Sequence, residues 1–233
     1  MTSRLSIVAM HGWCGDQRSW DPWLPLWQGH GWTWCCGERG YGQQPPQPPS
    51  WPTGDGLKVL IAHSLGPHLL PPELLARADA VVLLTSFGRF VPSGRDGRKL
   101  QVALAGMAAQ LAGPNPEAML QSFLAQAAAP EPVELLQNTP ALEVQPPAGR
   151  EQLQRDLELL ASSSGLPGGF PMAARVLVVQ AGCDQIVAPA ARQELEQALP
   201  QADVIRLSQA GHALLRTPVI KLVDAWLEGL LQP

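Results

Sequence analysis

The chain has 233 residues and a formal net charge of −4, with 45% hydrophobic and 15% charged residues. That length suits one compact domain, and that apolar content excludes an intrinsically disordered chain. The mildly acidic balance lacks a basic tail and excludes global attraction to nucleic acid. No apolar run reaches the roughly 18–20 residues of a membrane span, so neither nucleic acid nor membrane is expected as a partner.

Leu5–Met10 is a short apolar run ending at His11-Gly12, which predicts a buried strand meeting a loop. Arg18–Gly29 carries Trp20, Trp23, Leu24, Leu26 and Trp27 and predicts a short helix; Trp32–Cys36 predicts a second strand. Gln43–Gly56 is dense in proline and reads as a surface connection. Leu57–Ala62 predicts a third strand that runs straight into His63-Ser64-Leu65-Gly66. The helix due after it should be broken into two short pieces by Pro71-Pro72, and Ala80–Thr85 predicts the next strand.

From Gly88 to Pro171 no strand pattern occurs, and three segments read as helices: Arg95–Leu111, Pro116–Ala128 and Gly149–Ser162. Strand Arg175–Gln180, helix Ala190–Ala198, strand Asp203–Leu207 and the amphipathic helix Pro218–Leu231 complete the chain. Strands alternating with helices predict an α/β fold, a doubly wound parallel sheet covered on both faces. The helical stretch reads either as a separate domain or as an insertion. The return to a strand afterwards favours insertion, with a core of residues 1–87 and 172–233 and a helical lid of residues 88–171.

A serine hydroxyl becomes a nucleophile when an imidazole takes its proton, a carboxylate fixes that imidazole, and N–H groups receive the developing oxyanion. Ser64 stands between a predicted strand and a predicted helix, in Ala62-His63-Ser64-Leu65-Gly66, with Ala62 in place of the first glycine of G-x-S-x-G. Asp184 follows the next-to-last strand and His212 the last. Each has a plainer reading: a loop serine, a helix N-cap, a surface histidine. Together they occur in the order Ser, Asp, His, each at the carboxyl end of a different strand, where parallel sheets build their sites. The reading is therefore Ser64 as nucleophile, His212 as general base and Asp184 as its orienting acid.

The loop His11-Gly12-Trp13 makes the Trp13 backbone N–H the candidate for one oxyanion donor, and the Leu65 N–H, just after the nucleophile, for the other. Seven of the eight tryptophans lie between Trp13 and Trp51, as rings that cover the sheet or as pocket walls. Cys14, Cys35, Cys36 and Cys183 show neither a C-x-x-C pair nor metal-ligand spacing. With no phosphate loop, dinucleotide fingerprint or metal cluster, no cofactor and no metal are expected. The first ten residues lack the features of a signal peptide, and the chain is read as cytoplasmic and monomeric.

Over almost its whole length the sequence resembles the α/β-hydrolase family, on His11-Gly12-Trp13, Ala62–Gly66, Gly182–Asp184 and Gly211-His212. More narrowly it resembles the pimeloyl-ACP methyl ester carboxylesterases of biotin synthesis. That resemblance rests on His11-Gly12-Trp13, the short N-terminus, His63–Gly66, and Thr85-Ser86-Phe87-Gly88-Arg89-Phe90 leading into a helical lid. It implies removal of the methyl group from a pimeloyl chain held on acyl carrier protein, in an apolar channel with a positive rim.

Within that reading Trp13, Phe87, Phe123 and Phe170 are the expected channel walls. Arg89, Arg95, Arg98 and Lys99 form a basic group that reads equally as a docking surface for the carrier protein or as a solvated helix start. Other esterases, thioesterases and a menaquinone-pathway lyase would use the same residues; for haloperoxidase-like chemistry the sequence offers no separate signal. A ligand-binding protein without enzymatic activity is the alternative of a different class.

Overall fold

The computed structural model describes residues 4–136, 139–140, 143 and 145–232. Its strands are β1 (Leu5–Met10), β2 (Thr33–Gly37), β3 (Leu57–His63), β4 (Ala80–Leu84), β5 (Arg175–Ala181) and β6 (Asp203–Leu207). All their pairings are parallel, in the order β2-β1-β3-β4-β5-β6. Every carboxyl end therefore lies on one edge of the sheet, and the strand order reverses direction beside β1 and β3.

The strands are nearly continuous apolar runs because both faces are covered. On one face Leu5, Ile7, Val59, Ile61, Val82 and Leu177 meet helices α1 (Leu24–Gly29) and α7 (Val219–Leu230). On the other, Val8, Leu60, Val81 and Val178 meet α2 (Pro72–Leu75) and α6 (Pro189–Ala198). Residues of opposite parity along each strand thus serve different cores. Trp20, Trp23 and Trp27 are buried on the α1 side, ring against ring; Trp27 only covers the sheet, whereas Trp20 and Trp23 also reach the large cavity described below. The chain after Ser64 forms a 3₁₀ turn, Gly66–Leu69, and then α2, the two short pieces that Pro71-Pro72 dictates.

Helices α3 (Gly94–Ala112), α4 (Glu117–Ala128) and α5 (Pro147–Ser162) lie between β4 and β5 in the chain. They rest on the carboxyl edge of the sheet. The Trp13 indole N–H, after β1, donates to Leu153 O of α5 at 2.9 Å, and Ala213 N–H, after β6, donates to Ala127 O of α4 at 3.0 Å. The firmest tie is polar. Asp156 of α5 is 2% exposed and accepts from Arg39 at 2.6 and 2.8 Å and from the Tyr41 hydroxyl at 2.6 Å. Among the described residues no helix is long and apolar enough to cross a membrane.

Candidate active site

Ser64 follows β3 at φ 54°, a left-handed conformation that is unusual for a residue with a side chain. Its N–H donates to Leu84 O at 2.9 Å, and its carbonyl accepts from the Ser86 hydroxyl at 2.7 Å. The turn is crowded. A Cβ on Gly12 would fall 2.8 Å from Ser64 Cβ, and one on Gly66 would fall 2.5 Å from Met10 O and 3.2 Å from Ala62 Cβ. Ala62 is thus small enough to stand where the usual pattern has glycine, provided that residue 66 has no side chain.

His212 is 3% exposed, and its Nδ1–H donates to Asp184 Oδ2 at 3.0 Å. That bond fixes the tautomer and leaves the Nε2 lone pair able to accept a proton. The other oxygen of Asp184 accepts from the N–H groups of Ile186 and Val187 at 2.7 and 2.9 Å. Burial alone would raise this carboxyl; His212 and the two amides outweigh it and hold the pKa below the usual carboxylate value.

The His212 carbonyl has two donors, the Thr85 hydroxyl at 2.9 Å and His63 Nε2–H at 3.0 Å. The His63 and His212 rings lie 5.0 Å apart. Burial, with His212 beside it, pushes the pKa of His63 down to about 4, so it is neutral at physiological pH. His11, 1% exposed, donates from Nδ1 to Gly12 O at 2.8 Å and accepts at Nε2 from Arg39 N–H at 3.4 Å. It braces the 11–13 loop.

Among the described residues neither the Trp13 nor the Leu65 amide N–H has a hydrogen-bond partner, although both residues are buried. No hydrogen bond joins Ser64 Oγ to His212 in this structure.

A cavity of about 540 Å³ opens beside these groups. Its wall includes Trp13, His63, Phe123, Leu124, His212 and Leu214, with Arg18 and Arg216 farther along it. Trp13 and Phe123 meet edge to face at 4.8 Å. Ser64 is 5% exposed and is not itself part of the wall, whereas its neighbour His63 is.

No family model and no curated protein matches the chain. Solved structures do. An esterase from Exiguobacterium antarcticum is 15% identical, with a TM-score of 0.73 over 100% of this chain and 94% of its own. The enol-lactonase from Burkholderia xenovorans LB400 is 18% identical, with a TM-score of 0.67 over 99% and 91%. An alpha/beta hydrolase fold protein from Burkholderia ambifaria is 18% identical, with a TM-score of 0.64 over 98% and 92%.

This chain has the α/β-hydrolase fold. Placed on that fold, the sequence-derived residues divide into those that the structure brings together and those that it separates. Asp184 and His212 are bonded, Ser64 is tied to the β4 turn that also holds His212, and Trp13 and Phe123 share the cavity wall. Phe87 and Phe170 are not on that wall, contrary to expectation. Phe87 is buried between His68, 5.3 Å away, and Phe90, 4.9 Å away, and Phe170 belongs to the same apolar core.

The basic group is also divided. Arg89 donates to Ser164 O, at 3.2 Å from its nearer nitrogen, while Arg95, Arg98 and Lys99 are exposed on the first turns of α3. None of the four lies on the wall of the large cavity. Lys99 borders a second hollow, of about 390 Å³, between α3 and the Asp184–Pro189 loop. His63, Thr85, Ser86, Arg39 and Asp156 went unassigned in the sequence, because their roles depend on contacts across as many as 149 positions.

Proposed function

We propose that this chain is a serine hydrolase of carboxylic esters. The observation that carries the reading is the Asp184–His212 hydrogen bond of 3.0 Å beside a serine held at φ 54° on a strand-to-turn corner. Ser64 Oγ attacks the ester carbonyl while His212 Nε2 takes its proton; the unpartnered N–H groups of Trp13 and Leu65 receive the oxyanion. His212 then protonates the departing alkoxide, which leaves as an alcohol. Water, deprotonated by His212, releases the acid and restores Ser64. Hydrogen bonds between nucleophile and base are commonly long before substrate is bound, and shorten when it is.

The apolar wall of Trp13, Phe123, Leu124 and Leu214 suits an aliphatic acyl chain. The finer reading is the methyl ester of pimeloyl-ACP, with methanol as the leaving alcohol, residues 88–171 acting as a lid and Arg95, Arg98 and Lys99 meeting the acidic carrier. It is supported by the sequence resemblance and by the exposure of those three side chains.

The test is hydrolysis of nitrophenyl esters of graded chain length and of pimeloyl-ACP methyl ester, by the wild type and by Ser64→Ala. Turnover of both substrate types by the wild type alone supports both readings. Turnover of the nitrophenyl esters alone keeps the hydrolase and removes the carrier-bound substrate. Turnover that survives Ser64→Ala overturns the mechanism.

A further inference from the structure

The turn after β4 carries two adjacent buried hydroxyls, and each is bonded to the backbone of a different reacting residue. Thr85 Oγ1 donates to His212 O at 2.9 Å, and Ser86 Oγ donates to Ser64 O at 2.7 Å. The two residues are 1% and 2% exposed, so neither hydroxyl is open to bulk water as an alternative partner. β4 lies between β3, which leads to Ser64, and β5, which leads to Asp184. His212 follows β6, one strand farther out, and its loop must reach back across the ends of β5 and β4 to meet Ser64.

We propose that Thr85 and Ser86 are positioning residues that set the spacing of nucleophile and base, a role that rests on the hydrolase reading above. The backbone of residue 85 is the sign that something is being held. Thr85 sits at φ 43°, where a β-branched residue is a steric outlier. Its own N–H is anchored to Val179 O of β5 at 2.8 Å. The twist at residue 85 sends two consecutive hydroxyls to carbonyls on two separate loops, which an extended strand end, alternating its side chains between faces, does not do. Glycine would relieve the strain and abolish the first of these bonds.

The Ser64 peptide is held on both sides by this turn, through Leu84 O and the Ser86 hydroxyl. The His212 carbonyl has its second donor in His63, the residue that adjoins the nucleophile. Thr85, Ser86 and His63 therefore form a closed set of bonds between the two loops, independent of the Asp184 contact.

The experiment follows phosphonylation of Ser64 by a fluorophosphonate, with thermal unfolding measured on the same samples, so that no knowledge of the natural ester is needed. Thr85→Val keeps the shape and deletes the hydroxyl, and Thr85→Ser keeps the hydroxyl. The expected result is that Thr85→Val and Ser86→Ala lower the maximal labelling rate about tenfold to a hundredfold, the scale of a ~1 Å misplacement. The half-saturating reagent concentration stays the same, and Thr85→Ser recovers most of the rate.

A merely structural role would lower the fraction of labelled sites and the unfolding midpoint, leaving the rate at each intact site unchanged; that result overturns the proposal. So does wild-type labelling by folded Thr85→Val or, should that variant not fold, by Ser86→Ala. Absence of Ser64 labelling in the wild type defeats the hydrolase reading itself, and is thereby distinguishable from failure of the clamp.

Discussion

Replacing Asp156 with alanine removes the one carboxylate that joins α5 to the loop after β2. Asp156 accepts two bonds from Arg39, one from Tyr41 and one, at 3.0 Å, from Gln152. Breaking a buried ion pair from one side costs about 3–5 kcal/mol. The Arg39 side chain is 29% exposed and regains water, which moves the cost toward the lower end. Tyr41 has no such recourse, being fully buried, and a buried hydroxyl left unpaired costs about 1–3 kcal/mol. The expectation for Asp156→Ala is therefore a loss of about 4 kcal/mol, or about 8–16 °C in unfolding temperature for a chain of this size.

Urea and thermal unfolding measure the loss directly. Tyr41→Phe alone should cost about 1 kcal/mol, and the paired change Arg39→Met with Asp156→Leu should recover much of the stability, because it leaves no orphaned charge. Leu153, three residues before Asp156, accepts the Trp13 indole bond, so Asp156→Ala should also slow ester turnover by loosening the cavity wall. A loss below about 1 kcal/mol, the scale of a surface pair, would refute the assignment of this cluster as the tie between α5 and the loop after β2.

Gly12→Ala should abolish turnover in a protein that still folds, since its Cβ would press on Ser64 Cβ at 2.8 Å, while Gly29→Ala, which meets nothing within 4 Å, should be silent; steady-state kinetics on both variants checks this. Asp184→Asn should lower kcat by about 10³–10⁴-fold, because the amide no longer enforces the productive His212 tautomer; a loss under tenfold would contradict that role for Asp184. Burial lowers the pKa of His11, His63 and His68, that of His63 to about 4. An unfolded histidine binds its proton near pH 6.5, so from there down to about pH 4 the unfolded chain holds more protons and stability falls as pH falls. The share from His63 alone is about 3 kcal/mol. Urea titrations at pH 7.5 and 4.5 test the sign, and His63→Gln should flatten the dependence.

What the sequence made legible was what repeats locally. The apolar runs Leu5–Met10 and Asp203–Leu207 are strands to the residue, and the three helices between β4 and β5 begin and end within two residues of their apolar periodicity, because prolines bound them. Ser64, Asp184 and His212 can be singled out in the sequence because parallel strands deliver their successors to one edge, and the structure bonds the last two. Period and composition do not say on which side of a turn the Phe87 ring falls, and it packs against His68 and Phe90 rather than on the large cavity. The Arg39–Asp156–Tyr41 cluster was illegible for a related reason, since a carboxylate on a helix reads as solvated until its partner from 117 positions away is known.

The placement of charge separates the two substrate readings. On the large cavity, Arg18 is bonded to Asp16 and Glu143, and Arg216 lies 3.3 Å from Glu131, so these two cations already face carboxylates. The exposed cations Arg95, Arg98 and Lys99 stand at the start of α3; Lys99, 3.9 Å from Asp96, borders the hollow against the Asp184–Pro189 loop. An acidic carrier protein docked on α3 would therefore present its acyl chain from the Asp184 side, whereas a free ester needs only the cavity. Reversing Arg95, Arg98 and Lys99 to glutamate should raise KM for pimeloyl-ACP methyl ester about tenfold or more, in a salt-dependent way, while kcat is kept. KM for a nitrophenyl ester should not move. Equal effects on both substrates would mean that the patch acts through the fold, and no effect on either would leave α3 as a solvated helix start with the carrier, if used, docked elsewhere.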